Sequence, residues 1–498
     1  MMKKIQLVFL CCLLLMMKHV VMAQPEKDFL NEFNGFVQQS EQQFTSFNDS
    51  INRQFAENLK KQWESFSVFA GIPPPLKPKP VVPRKATLES SPVNNAVISV
   101  KEVIPQEKPL PIFEPPIRTF DTLLDTQAMN RSKNLEFTFY GTSVEFTIPA
   151  EACRHRLSEI SNAAIADFWM KLNEDKLQSL VSQCVLVKDK LRLNDWGVYQ
   201  LTKSVAQSIF AEAQYNEQTV LVIFLLNAMG YDAKMALDEY SAYCLLHTQQ
   251  QLYSVPFVRL LDKSYFVFYL KDTYQQNKNN LYTYSFDYPN SIRAVDMNIG
   301  ETPHFNKSIQ SKLLENELLY QPIKVCYNAN LIDFYQDFPQ MEVNVYAEAK
   351  VSPEFYSSVR EALQPIIQDK SDVEAVTALL HLMHYSFDYA VDEVQFGFEK
   401  PLFCEENFYY PYNDCEDRAV LFAFLVRELL GLKTVLVEYS DHLATAVSFG
   451  DTELSGDFLV LEHEKYVICD PTYIGASIGM SISEYKNQPV KVMMLETK

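Results

Sequence analysis

The segment Tyr409-Tyr410-Pro411-Tyr412-Asn413-Asp414-Cys415-Glu416-Asp417-Arg418 runs directly into an apolar stretch that ends at Gly431. Asp414 has the side chain of a helix N-cap, and Asp417 stands three residues on, as in a capping box. Cys415 then falls in the first helical turn, where free backbone N–H groups and the positive end of the helix dipole favour a thiolate. Glu416 and Asp417 oppose that charge, so a reactive thiolate here needs a cationic partner. His442 follows 27 residues later at the start of a strand-like run, and Asp470 another 28 later, at the end of a hairpin. A cysteine nucleophile needs a base to take its proton, and the base needs a third group to fix its tautomer. Cys415, His442 and Asp470 supply these three roles in order. Taken singly, each has a plainer role: a small buried apolar residue, a surface or core histidine, and a turn former before Pro471.

The motif Asp414-Cys415-Glu416-Asp417-Arg418-Ala419, with His442-Leu443-Ala444-Thr445-Ala446-Val447 and Cys469-Asp470-Pro471-Thr472-Tyr473, resembles the transglutaminase-like cysteine domains of the papain superfamily. The resemblance covers residues 337–485 and implies Cys415 as nucleophile, His442 as general base and acid, and Asp470 as the group that orients it. Gln395 to Pro401 is similar to the substrate-side loop of bacterial members. Two positions depart from the family pattern: Asn413 stands where many members have Gly, and Asp441 where Gly often precedes the His.

The elements that must position these residues follow from periodicity. Glu416 to Leu430 reads as a helix stopped by Gly431, and Thr434–Glu438, Leu443–Phe449, Phe458–Leu461 and Tyr466–Cys469 read as strands. A similar order precedes it: a strand Glu136–Tyr140, a helix Thr219–Met229 stopped by Gly230, then strands Ala233–Leu237 and Tyr265–Tyr269. Glu342–Tyr346 reads as the strand that opens the second copy. Aligning Gly230 with Gly431 sets Gln214 opposite Cys415; sliding by two matches Glu239-Tyr240-Ser241 with Glu438-Tyr439-Ser440 and sets Tyr243 opposite His442. Gln214, Tyr243 and Tyr269 cannot replace a nucleophile, a base and its orienter. The expected fold class is therefore α+β, papain-like or transglutaminase-like, with a Cys-bearing helix packed on an antiparallel sheet, in tandem with a degenerate copy.

Upstream, Lys3 and Lys4 lead into the apolar run Ile5–Met17, and Val21-Met22-Ala23 offers small residues for cleavage. This predicts a signal peptide over 1–23 and an exported, periplasmic or secreted protein. The run is too short to span a bilayer, and no later one is long enough. Phe29, Phe33, Phe36, Phe44, Phe47, Ile51, Phe55, Leu59, Trp63 and Phe66 recur at helical spacing, predicting an amphipathic helical segment over 24–71, suited to self-association or an envelope partner. Residues 73–116 hold twelve of the 25 prolines, predicting an extended tether over 72–130. The degenerate copy then spans 131–336 and the catalytic copy 337–498.

Composition excludes several classes. The net charge is −19, and losing residues 1–23 removes three lysines and no acids, giving −22, which argues against nucleic acid or anionic membrane as partner. The 12 glycines never occur as Gly-x-Gly, which removes the dinucleotide and phosphate loops. Of nine cysteines, Cys11 and Cys12 lie in the signal; the odd seven left predict a free thiol, and no CxxC pair marks a zinc site. Gly475-Ala476-Ser477-Ile478-Gly479 matches G-x-S-x-G, yet no His follows it within the chain, so it reads as a loop. His381 and His384 have a metal-like helical spacing within a core-like run and no carboxylate partner. No metal and no cofactor is expected. The functional expectation is a cysteine hydrolase or acyltransferase acting on protein or peptide amides, with hydrolysis favoured over cross-linking. The alternative is a non-catalytic envelope binding or assembly module that keeps the fold.

Overall fold

The computed structural model describes residues 26–61, 63–74, 82–86, 96–106, 132–174, 177–270, 280–316, 319 and 322–496. The expected signal, 1–23, lies outside them, as does most of the Pro-rich segment. Among the described residues no helix is long and apolar enough to cross a membrane. The chain divides into a unit ending at Glu57 and a second compact unit, Asn58–Lys498.

The amphipathic periodicity is realised as one helix, Glu26–Leu59, which stops short of the expected end. The Trp63 indole N–H donates to the Leu59 carbonyl at 2.6 Å and closes the last turn. The chain then turns into a strand, Glu64–Phe69, so Phe66 belongs to a sheet. That strand closes a six-stranded barrel whose order is 64–69, 257–260, 263–268, 242–247, 233–237 and 280–283. Its interior is filled by Ala236, Tyr243, Leu245, Val258, Leu260, Tyr265, Val267 and Leu281, the alternate positions of each strand.

A second six-stranded sheet has the order 458–461, 464–469, 443–448, 434–438, 490–494 and 100–104. The five strands following the helix in each half are arranged identically, third, fourth, second, first, fifth, and all pair antiparallel. Registers agree as well: Leu237 faces Ala242 as Glu438 faces Leu443, and Cys244 faces Phe268 as Thr445 faces Cys469. Adding 201 to each first-half number gives the second-half number in all these pairs, with Gly230 meeting Gly431. This corrects the shifted alignment: Ser241, not Tyr243, is the counterpart of His442, because sliding by two would break every cross-strand pair.

The helices preceding each sheet, Tyr215–Ala228 and Cys415–Leu425, pack on the two central strands of that sheet. All eleven residues of the second are buried, because other helices cover its remaining faces. Gly230 and Gly431 take positive φ, the left-handed turn that ends each helical segment.

Two expectations are overturned here. Glu342–Tyr346 is not a strand; Val343–Glu348 is a short helix packed on the Cys415 helix, with the Tyr346 ring against Phe403 at 4.7 Å. Tertiary packing outweighs the alternating valines. The Pro-rich segment is not a plain tether. Residues Val100–Ile104 form a parallel edge strand on Val490–Met494, Val97 bridges Phe458, and Lys85 bridges Ile474. The run between Pro92 and Pro105 is free of proline and rich in β-branched residues, so it can donate to a ladder. Each sheet thus takes one strand from the N-terminal region.

Candidate active site

Asp414 caps the Cys415 helix. Its carboxylate accepts from Glu416 N at 3.1 Å, and its own N–H donates to Asp417 at 3.1 Å. Asp417 also accepts from Leu402 N at 2.9 Å, anchoring the preceding loop. Both carboxylates are buried. Arg418 lies beneath them, 1% exposed. Its Nε donates to Asn413 Oδ1 at 2.9 Å and its Nη2 to the Phe387 carbonyl at 2.7 Å. Burial pulls this guanidinium down to about 10, against the opposing pull of Tyr389, Asp414, Asp417 and Cys415. The Asn413 amide thus holds the buried Arg418 guanidinium near the helix start, and it donates in turn to Asn407 at 3.0 Å.

His442 and Asp470 are brought together by register. Thr445 faces Cys469, so Asp470 lies opposite Ala444, and His442 is the diagonal neighbour on the same face. His442 Nε2 lies 2.8 Å from Asp470 Oδ2, with both side chains 2% exposed. The other carboxylate oxygen accepts from Thr472 N at 2.9 Å and Tyr473 N at 3.1 Å. Burial alone would raise the Asp470 pKa, but the His442 charge and these donors hold it below the usual carboxylate value.

The sulfur has a partner that the sequence did not point to. Cys415 Sγ donates to Glu416 Oε2 at 2.9 Å, and both residues are buried. The Cys415 helix packs on the Leu443–Ser448 strand, which begins directly after His442. Tyr485 links them. Its ring stacks on His442 at 5.5 Å between centroids, 12° from parallel, and on Tyr439 at 4.7 Å. Its hydroxyl bonds to Asp441, and burial, Asp441 and the nearby Cys415 together raise the phenol's pKa. Asp441 thereby holds a ring that stacks on the imidazole. No motif marks Tyr485 in the sequence.

His384 is a further support. It is buried, with Nε2 2.9 Å from the Asp470 carbonyl and Nδ1 accepting from Gly475 N at 3.3 Å. Both ring nitrogens of His384 are therefore spent on the loop that carries Asp470. Burial drives the His384 pKa down to about 4, so the ring is neutral. The G-x-S-x-G match is a turn: Gly479 has positive φ and touches the backbone at Gly456, where a Cβ would lie 2.5 Å from the Gly479 Cα.

None of Cys153, Cys184, Cys244, Cys326, Cys404, Cys415 and Cys469 is in a disulfide. Burial pushes the Cys404 and Cys184 thiols up to about 12 and Cys469 higher still. The carboxylates of Asp392, Asp414 and Asp417, and the group Asp414, Cys415 and Glu416, approach closely enough to hold a cation. In the first trio, however, oxygens of all three accept backbone N–H groups, including Lys400 N on Asp392 at 2.7 Å.

In the first half, Gln214, Ser241 and Tyr269 occupy the three matching positions. Ser241 Oγ lies 3.2 Å from the Tyr269 hydroxyl. Tyr269 also packs on Tyr243 at 5.1 Å and on Tyr215 at 5.7 Å. Aromatic packing and a hydroxyl pair stand where the second half has the His442–Asp470 ion pair. In the loop before the Cys415 helix, the Tyr410 hydroxyl bonds to Gln336, and the Tyr412 backbone bonds twice to Gln395. No protein-family model, curated protein or solved structure matches the chain.

Proposed function

We propose that the protein is an exported transglutaminase-like cysteine hydrolase or acyltransferase acting on amide bonds of proteins or peptides. The observation that carries this reading is the buried His442–Asp470 pair, 2.8 Å apart, at the start of the 443–448 strand and the end of its neighbour 464–469, with the Cys415 helix packed on the first of these strands. A neutral core gains nothing from a buried carboxylate, whereas an imidazolium formed during a proton transfer is stabilised by one. With Nε2 held by Asp470, Nδ1 is the nitrogen that exchanges a proton with the thiol. Cys415 sulfur attacks the carbonyl carbon, His442 delivers the thiol proton to the leaving amine, and a thioester forms. Water, deprotonated by His442, then attacks the thioester; the carboxylic acid leaves and the thiol is restored. The Cys415 backbone N–H serves as one oxyanion donor. The first half is a degenerate copy that supports the second, and the Glu26–Leu59 helix serves self-association or an envelope partner.

A second reading, a non-catalytic binding or assembly module, is favoured by the thiol's bond to Glu416 in place of a base. Iodoacetamide alkylation of Cys415 from pH 4 to 9, followed by peptide mass spectrometry in the parent and in His442→Ala, separates the two. A thiolate–imidazolium pair labels rapidly well below the free-thiol pKa of about 8.5, and the variant loses this. Labelling that follows an ordinary thiol in both proteins sinks the catalytic reading.

A further inference from the structure

Residues 82–86 form a strap beside the site, and its contacts are specific. Ala86 N donates to the Ile474 carbonyl and Ile474 N to the Arg84 carbonyl, both at 2.9 Å. These are the bonds of a parallel strand pair, made on the loop directly after Asp470. Arg84 Nη1 lies 2.6 Å from Glu484, and its guanidinium sits 5.4 Å from the centre of the Tyr485 ring. That ring is the one stacked on His442. Ala86 packs on the cluster containing Tyr439, Tyr473, Ile482 and Tyr485. Main-chain pairing, a guanidinium on an aromatic face and a carboxylate for the same guanidinium are the three elements by which a sheet protein recognises an extended peptide. Here the chain supplies the peptide itself, while the triad residues are 0 to 2% exposed.

We propose that Ile474, Glu484 and Tyr485 form a slot for an extended, arginine-bearing polypeptide and that residues 82–86 fill it in cis, so that the strap must leave before a peptide from another chain can enter. The slot stands on the strap's own contacts; that its occupant is a substrate rests on the catalytic reading above. A second consequence is that release of the strap opens the approach to His442.

The test uses the mature full-length chain, its Arg84→Glu/Ala86→Pro variant, which removes the guanidinium and one strand bond, and a fluorescein-labelled peptide of residues 80–87. Anisotropy is expected to show the variant binding the peptide at least tenfold tighter than the parent, whose slot is filled. The same peptide carrying Arg84→Glu should bind at least tenfold more weakly, and so should the parent peptide when Glu484→Lys is added to the protein. Cys415 alkylation should be at least tenfold faster in the variant and slowed again by the peptide. Equal peptide affinity in parent and variant, or indifference to the arginine, overturns the proposal. Should the double variant fail to fold, Glu484→Lys alone reverses a largely exposed charge against Arg84; unchanged Cys415 alkylation there also overturns it. Adding His442→Ala to the double variant separates the two claims: peptide binding that persists while the pH-dependent thiol reactivity is lost leaves both standing, and binding without any such reactivity in the unmutated triad leaves only the slot.

Discussion

Ser241 Oγ lies 3.2 Å from the Tyr269 hydroxyl, at the two positions that His442 and Asp470 occupy in the other sheet. The backbone register is the same, but this pair carries no charge. Ser241→Ala should therefore cost only about 0.5–1.5 kcal/mol, the net worth of one hydrogen bond. Urea unfolding measures the loss, and Cys415 alkylation should be unchanged.

Asp470→Asn should act on chemistry more than on folding. The amide keeps an acceptor for Thr472 N and Tyr473 N but removes the charge that stabilises an imidazolium. Cys415 alkylation near pH 6 should fall by about tenfold or more, within the range ascribed to positioned acid–base groups, and the pH profile should move toward that of an ordinary thiol.

Glu416→Gln should move that profile the other way. A carboxylate 2.9 Å from Sγ favours the thiol over the thiolate, because both would be anions at contact distance. Removing its charge lowers the Cys415 pKa, so the alkylation midpoint should shift to lower pH. A midpoint that stays or rises would show that Glu416 does not hold the resting proton.

Asn413→Ala tests the cation under the helix. Without the amide, Arg418 Nε is left buried and unpaired, at a cost of about 1–3 kcal/mol. Urea denaturation should report this loss.

Two groups tilt stability with pH in opposite directions. The His384 pKa, lowered to about 4 by burial, gives stability that is whole above about pH 6.5 and lost as pH falls toward 4. Glu405, raised to about 7 by burial against its bonds from Ser352, gives stability that is present below its usual value and lost as pH rises through 7. Between about pH 4.5 and 6.5 the two slopes oppose each other. Glu405→Gln should expose the histidine alone, so that unfolding free energy rises by about 3 kcal/mol from pH 4 to 6.5, while the parent stays flatter. Unfolding curves at four pH values decide it.

The helix start, its capping box, four strands of the second sheet and the strands 233–237 and 263–268 of the barrel were legible because apolar periodicity and Asp414, Gly230 and Gly431 write them locally, whereas 242–247, 257–260, 280–283 and 490–494 were not. The contribution of 64–69 and 100–104 was hidden, since an edge strand is specified by a partner hundreds of residues away and proline content averages over it. Tyr485 and His384 were hidden for a related reason: an aromatic in a loop and a histidine in an apolar helix acquire their roles only from what packs against them. Ser241 is hidden as the counterpart of His442 because the identities Glu239-Tyr240-Ser241 and Glu438-Tyr439-Ser440 suggest a shift of two, and only the cross-strand pairs fix the register.

The edge strand Val100–Ile104 pairs with Val490–Met494, about 390 residues further along. At synthesis rates of about 5–20 residues per second its partner is made some 20–80 s later. The strand Glu64–Phe69 waits for Asn280–Thr283 in the same way. Each sheet therefore keeps an unpaired edge until these later strands are made, and the strands 64–69 and 100–104, early off the ribosome, find their partners only after hundreds of further residues.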